Sequence, residues 1–176
     1  MKTDSGKYFG SVMMSGFGVV AFYRWQQTHL IFFLLLVLRD FAAAYFFSKR
    51  KVAQSKGSRS LTIVAYISSA VPLLYLGPTV SLKTIFLVSD LLAIIGFLIV
   101  VFATLELGTS IGISPANRGI VRSGIYRYLK HPMYIGYIIS EIGLVMLNPF
   151  NGVLCLVSVL LYRFRAKAED NLLLSE

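Results

Sequence analysis

The chain has 176 residues, 56% of them hydrophobic and only 14% charged, with a mean hydropathy of +0.72. Soluble domains carry about 25% charged residues, so this balance excludes a water-solvated fold and describes one domain with lipid as its solvent. The net charge of +9 does not argue for a nucleic-acid partner, because the basic residues are spread between apolar segments rather than gathered on one face. A single cysteine, Cys155, excludes a disulfide scaffold, and 13 phenylalanines and 10 tyrosines among long aliphatic runs exclude disorder.

In chain order, residues 1–27 lack a compact apolar core followed by a small-residue cleavage pattern, so no removable signal is expected. The stretch 8–23 contains Gly10, Gly16 and Gly18 and reads as an interfacial or partly inserted helix. Segments 28–47, 61–80 and 85–107 each reach the ~20 apolar residues that cross ~30 Å of hydrocarbon. Two shorter segments, about 133–147 and 150–163, flank Asn148-Pro149. At ~1.5 Å per residue each covers only about 22 Å, so they read as a short helical hairpin. The expected fold is an all-α integral membrane protein of about five transmembrane helices ending in that hairpin.

Lysine and arginine give the expected orientation. The link 48–60 carries Lys49, Arg50, Lys51, Lys56 and Arg59, and the next link only Lys83. The link 108–132 carries Arg118, Arg122, Arg127 and Lys130, the Asn148-Pro149 turn has none, and Arg163, Arg165 and Lys167 follow the last span. The basic links belong in the cytosol by the positive-inside rule. The link 108–132 is long for a helical bundle and rich in glycine, which marks it as functional.

Chemistry concentrates around two cytosolic pieces. In the run 124–136, Pro132 fits the first turn of a helix whose free N–H groups, beside Lys130 and His131, suit a carboxylate or phosphate. Tyr126, Tyr128 and Tyr134 add rings at interfacial depth, although an aromatic belt with a capping histidine accounts for the same residues. If the last span continues as a helix, Arg165 and Glu169 share a face at i and i+4. Alone they are a routine surface pair; beside 126–134 they would suit a zwitterionic ligand. Arg39, Asp40, Asp90, Glu106 and Glu141 lie in or near apolar segments, where ionisable groups are costly and often functional. Glu141 is a candidate for the wall of a substrate cavity or for a structural hydrogen bond. His29 reads as interfacial and Cys155 as a small buried apolar residue. Two distant histidines and one cysteine make no metal-ligand cluster.

The order Arg118-Gly-Ile-Val121, Ser123-Gly124, Tyr126, Lys130-His-Pro-Met-Tyr134, Gly136, Asn148-Pro149 and Arg165-x-x-x-Glu169-Asp170 resembles the isoprenylcysteine carboxyl methyltransferase family. It is similar, more distantly, to the phosphatidylethanolamine N-methyltransferases. The resemblance covers about residues 105–174. It implies a membrane-embedded enzyme that uses S-adenosylmethionine without a Rossmann domain. Cofactor contacts would then fall on Arg118, Gly119, Ile120, Val121, Tyr126, His131, Pro132, Met133, Tyr134 and Glu169, with Arg165 as the substrate-contacting, catalytic arginine. Residues 1–107 would supply the N-terminal membrane helices; residues 108–176 would supply the cofactor-binding loop, the hairpin and the cytosolic tail of the same domain. The implied acceptor is an amphiphilic or lipid-like molecule from the bilayer, and the implied location is a multi-pass membrane protein with its site on the cytosolic face. The sequence departs from the family pattern at Lys130 (more often arginine), Ile125 (often proline) and Asp170 (usually glutamate), and relatives usually continue past the position of Glu176. Carboxyl methylation is the favoured reaction. The alternatives are a lipid amine N-methyltransferase, an NADPH-dependent sterol-type reductase, which shares a His-Pro-x-Tyr-x-Gly element, and a non-catalytic membrane subunit.

Overall fold

The computed structural model describes residues 6–49, 55–56, 58–110, 116–117, 121 and 123–174. Its elements are helices α1 (Gly6–Thr28), α2 (Ile31–Lys49), α3 (Arg59–Ala70), α4 (Lys83–Leu107), α5 (Pro132–Leu147) and α6 (Asn151–Leu174), with short 3-10 turns and one two-residue strand pair. The strands, β1 (Ser55–Lys56) and β2 (Ala116–Asn117), pair antiparallel and hold the two basic links at the same end of the bundle.

Helix α1 is longer than the sequence suggests. The stretch 8–23 is the middle of a 23-residue helix that runs antiparallel along α2: Ser11 Oγ donates to the Ala44 carbonyl at 2.8 Å, and Gly10 and Gly18 lie under the rings of Phe47 and Phe41. The turn between them closes on His29, whose N–H donates to the Trp25 carbonyl with a φ of 53°, in the left-handed region that ends many helices.

Helices α2 and α4 are long and apolar enough to cross a membrane. On α4, Leu87, Leu91, Ile95, Leu98, Phe102 and Leu105 are exposed, as are Val153, Leu156 and Leu160 on α6. A surface this continuously apolar fits contact with lipid.

The segment 61–80 does not form one continuous helix. Its helix stops at Ala70, a 3-10 turn covers Val71–Leu74, and 75–82 is not helical. Pro72 explains the break, since it lacks the N–H that would continue the i→i−4 ladder, and Gly77-Pro78 prevents a restart. The freed backbone is satisfied by the hairpin turn: Leu76 N–H donates to Asn151 Oδ1 at 2.8 Å, Asn148 Nδ2 to the Gly77 carbonyl at 2.7 Å, and Thr79 N–H to the Leu147 carbonyl at 2.9 Å. Polar backbone at membrane depth is tolerated only when paired in this way.

The last span also differs, because α6 continues unbroken for 24 residues and carries Arg165 and Glu169 on one rod. Helix α5 packs against α4 along its length. Their backbones touch at Gly96 and Gly136, where an added Cβ on Gly96 would collide with the Gly136 carbonyl and Ser140, and one on Gly136 with the Gly96 carbonyl. Small residues permit this approach in lipid, where close packing rather than water exclusion holds helices together. The contact fixes the face on which α5 presents Tyr134 and Tyr137.

Candidate functional site

His131 occupies the N-cap of α5 and Pro132 its first position, with no side chain capping the first turn. Open N–H groups and the positive dipole end are therefore available to an anion. Helix α6 passes this end and places two carboxylates against it. Tyr134 donates from its hydroxyl to Glu169 Oε1 at 2.5 Å. His131 Nδ1 lies 3.6 Å from Glu169 Oε2, and its Nε2 3.1 Å from Asp170 Oδ1, while Lys130 Nζ donates to Asp170 Oδ2 at 2.9 Å. Slight burial pushes the Asp170 carboxyl up, but the hydrogen bond from Lys130 and the charge and hydrogen bond of His131 hold it below the ordinary carboxylate range.

Aromatic rings form the wall beneath this polar mouth. His131 stacks on Tyr134 with centroids 5.7 Å apart, and Tyr134 on Tyr162 at 5.4 Å and 11°. The Arg165 guanidinium lies 5.2 Å over the Tyr134 ring and donates to Ser68 Oγ of α3 at 2.8 Å. Arg165 and Glu169 thus converge on one tyrosine, the cation over its face and the anion at its hydroxyl. Arg165 is buried, and that desolvation strengthens its pull on any anion reaching it.

The loop side is fastened to α4. Glu106 Oε2 accepts a 2.6 Å hydrogen bond from Ser123 Oγ. Gly124 follows with a φ of 51°, and an added Cβ there would strike the Glu106 side chain, so glycine is needed on both counts. The next turn carries Tyr126, whose phenol is pushed up by burial and then by the nearby Glu169 carboxylate. Glu106 sits at the C-terminal end of α4, where the helix dipole disfavours a carboxylate. The bond to Ser123 offsets that cost.

The structure therefore brings together Tyr126, His131, Pro132, Met133, Tyr134, Arg165 and Glu169, seven of the eleven residues singled out by the resemblance. Pro132 is buried, and Met133 packs against the cluster of Val100, Tyr134, Tyr137 and Tyr162. Val121 is half-buried just before the fastened turn. Arg118, Gly119 and Ile120 lie outside the described residues. Sequence reasoning missed Tyr162, Ser68 and the bond from Ser123 to Glu106. Tyr162 had a legible signal, since positions 162, 165 and 169 share one helical face; Ser68 reaches the site only through tertiary packing. Among the intramembrane charges, Arg39 Nη2 pairs with Asp40 Oδ1 at 2.8 Å, and Nη1 points to the Tyr137 hydroxyl at 3.4 Å.

A helical bundle coated with apolar side chains, with a polar and aromatic mouth among the described residues at its basic end, fits a membrane protein. Comparison with protein families matches residues 86–175, just over half of the chain, to the isoprenylcysteine carboxyl methyltransferase (ICMT) family. The chain belongs to that family and is a membrane methyltransferase of the isoprenylcysteine type. Neither the curated proteins nor the solved structures give a match.

Proposed function

We propose that this chain is a multi-pass membrane enzyme that binds S-adenosylmethionine at the mouth formed by Tyr126, His131–Tyr134 and Glu169 and methylates the carboxylate of an amphiphilic acceptor. The observation that carries this reading is the convergence of Arg165 and Glu169 on Tyr134 beside the uncapped start of α5. The acid, the stacked rings and the open N–H groups match the amino group, purine and carboxylate of that cofactor, and the Arg165 cation is left to the acceptor. When bound, S-adenosylmethionine supplies an electrophilic methyl group on a sulfonium. The protein's task is then to align the acceptor and exclude water, and alignment can offset several kcal/mol, up to ~7–11 kcal/mol in the best intramolecular cases.

A carboxylate acceptor is already the nucleophile, so no general base is required. Arg165, fixed by Ser68 and the Tyr134 ring, orients that carboxylate. An apolar groove of about 220 Å³ between α2 and α4, lined by Leu35, Leu38, Ala42, Phe97 and Val101 with Arg39 beside them, offers the acceptor's hydrocarbon a lateral approach. Because α1 lies antiparallel along α2, we read both as crossing the bilayer together. With α3 and its 3-10 turn, α4, α5 and α6 this makes six crossings, with the paired basic links and the site on the cytosolic face.

The test incubates purified protein with S-adenosylmethionine carrying a labelled methyl group and three acceptors: an S-prenylated cysteine with a free carboxylate, its amide, and an amino-headed lipid. Base-labile methyl ester with the free acid alone is expected. Label on the amino lipid would replace the carboxyl reading with amine methylation, and NADPH binding in place of S-adenosylhomocysteine would favour the reductase.

A further inference from the structure

Glu141 is left unused by the site described above. It sits nine residues into α5, 1% exposed, at a depth where a carboxyl group is costly and calls for a specific role. Its Oε1 accepts a 2.8 Å hydrogen bond from the Tyr162 hydroxyl. Its Oε2, the Tyr75 hydroxyl and the Ser158 hydroxyl are buried near one another with no closed hydrogen bond between them. Three hydroxyl-bearing residues, from α6 and from the strap after α3, therefore gather around one carboxyl group on α5. The Tyr162 ring that this carboxyl anchors is the one on which Tyr134 stacks, nearly parallel, and it also meets Tyr137 at 5.7 Å. Arg39 closes the other side through Tyr137, its guanidinium 5.2 Å over that ring.

We infer that Glu141 is a positioning residue for the cofactor mouth: by holding the Tyr162 hydroxyl it fixes the ring against which Tyr134 is set, and so fixes the hydroxyl that Tyr134 presents to Glu169. This rests on the proposed role of Glu169. Aromatic pairs adopt a range of offsets and tilts, so the stack alone does not set the position of Tyr134. Tyr134 has one polar anchor at its hydroxyl, and Arg165 over its face constrains height more than in-plane position. The Glu141–Tyr162 bond supplies the missing lateral constraint from inside the bundle. A hydrogen bond between buried partners is strengthened by its low-dielectric surroundings, so it can hold this register against thermal motion.

The experiment labels the protein with 3-fluorotyrosine, assigns the Tyr134 resonance by Tyr134→Phe, and titrates S-adenosylhomocysteine into wild type, Glu141→Gln, Glu141→Leu and Tyr162→Phe. Tyr162→Phe keeps the ring and removes only the pinned hydroxyl. It is expected to broaden or split the Tyr134 signal and weaken binding about fivefold. Glu141→Gln keeps an acceptor and is expected to restore a single Tyr134 signal and near-wild-type affinity. Glu141→Leu should behave like Tyr162→Phe, and where it does not fold, Tyr162→Phe decides. An unchanged Tyr134 signal in Tyr162→Phe overturns the inference. A wild type with no affinity for S-adenosylhomocysteine overturns the cofactor reading instead, and the resonance still decides the positioning role.

Discussion

Helices α1 and α2 meet through Gly10, Met14 and Gly18 packed beneath Phe41, Ala44 and Phe47, whereas α5 and α6 meet through Tyr134, Tyr137, Glu141, Tyr162 and Glu169. Both are antiparallel helix pairs joined by a tight turn, yet one is held by shape and the other by polar groups with fixed partners. The first kind of contact tolerates exchange between residues of similar volume. The second does not, because removing one member leaves its partner buried and unpaired. On the proposed function the contrast gives support to the N-terminal pair and chemistry to the C-terminal pair, and it can be tested by mutating each.

The largest effect is expected from Glu169→Ala. Loss of a charged hydrogen-bonding group of ~1.5–3 kcal/mol should weaken S-adenosylhomocysteine binding about 10- to 100-fold by calorimetry. Met14→Leu, a volume-conserving change on the apolar pair, should leave that affinity unaltered; equal losses in both would erase the contrast. Arg165→Lys comes next. Lysine cannot reproduce the planar fork that reaches Ser68 while covering Tyr134, so turnover should fall about tenfold with cofactor affinity within about twofold. A matched fall in both would make Arg165 a cofactor residue rather than an acceptor one.

The pH response is smaller. The Asp170 carboxyl lies below its ordinary value in the folded protein. Its contribution to stability is therefore complete above the unfolded-state pKa and disappears as pH falls through the lower folded one. Melting temperature should drop more steeply in wild type than in Asp170→Asn below about pH 4, and parallel curves would show that Lys130 and His131 gain nothing from this carboxylate. The smallest effect belongs to the other pair. His29 adopts a left-handed conformation at the α1–α2 turn, so His29→Gly should raise stability by about 1 kcal/mol in thermal unfolding, with methyl transfer unchanged.

Much of this was legible in the sequence for a physical reason. The run 85–107 is apolar on nearly every side and long enough to cross a bilayer as a helix, so α4 and the start of α5 at Pro132 follow from composition and backbone chemistry. Segment 61–80 breaks at Pro72, which hydropathy does not register, whereas 8–23 is helical as read and only its length was hidden, since its glycines weaken an isolated helix but here fit beneath the rings of α2. The polar mouth was readable where its residues are neighbours on one helix or in one short motif, as with His131, Tyr134, Arg165 and Glu169. Ser68 and the Glu106 clasp on Ser123 depend on packing between distant segments, which spacing does not encode. Tyr162 is readable from the helical face that it shares with Arg165 and Glu169.

Hydrogen–deuterium exchange with and without S-adenosylhomocysteine locates the cofactor most directly. Slowed exchange confined to peptides covering 123–136 and 162–172, with 6–49 unaffected, is the expected result. No change in those two stretches, or protection appearing only along α1 and α2, would contradict a cofactor site at the mouth of the C-terminal pair.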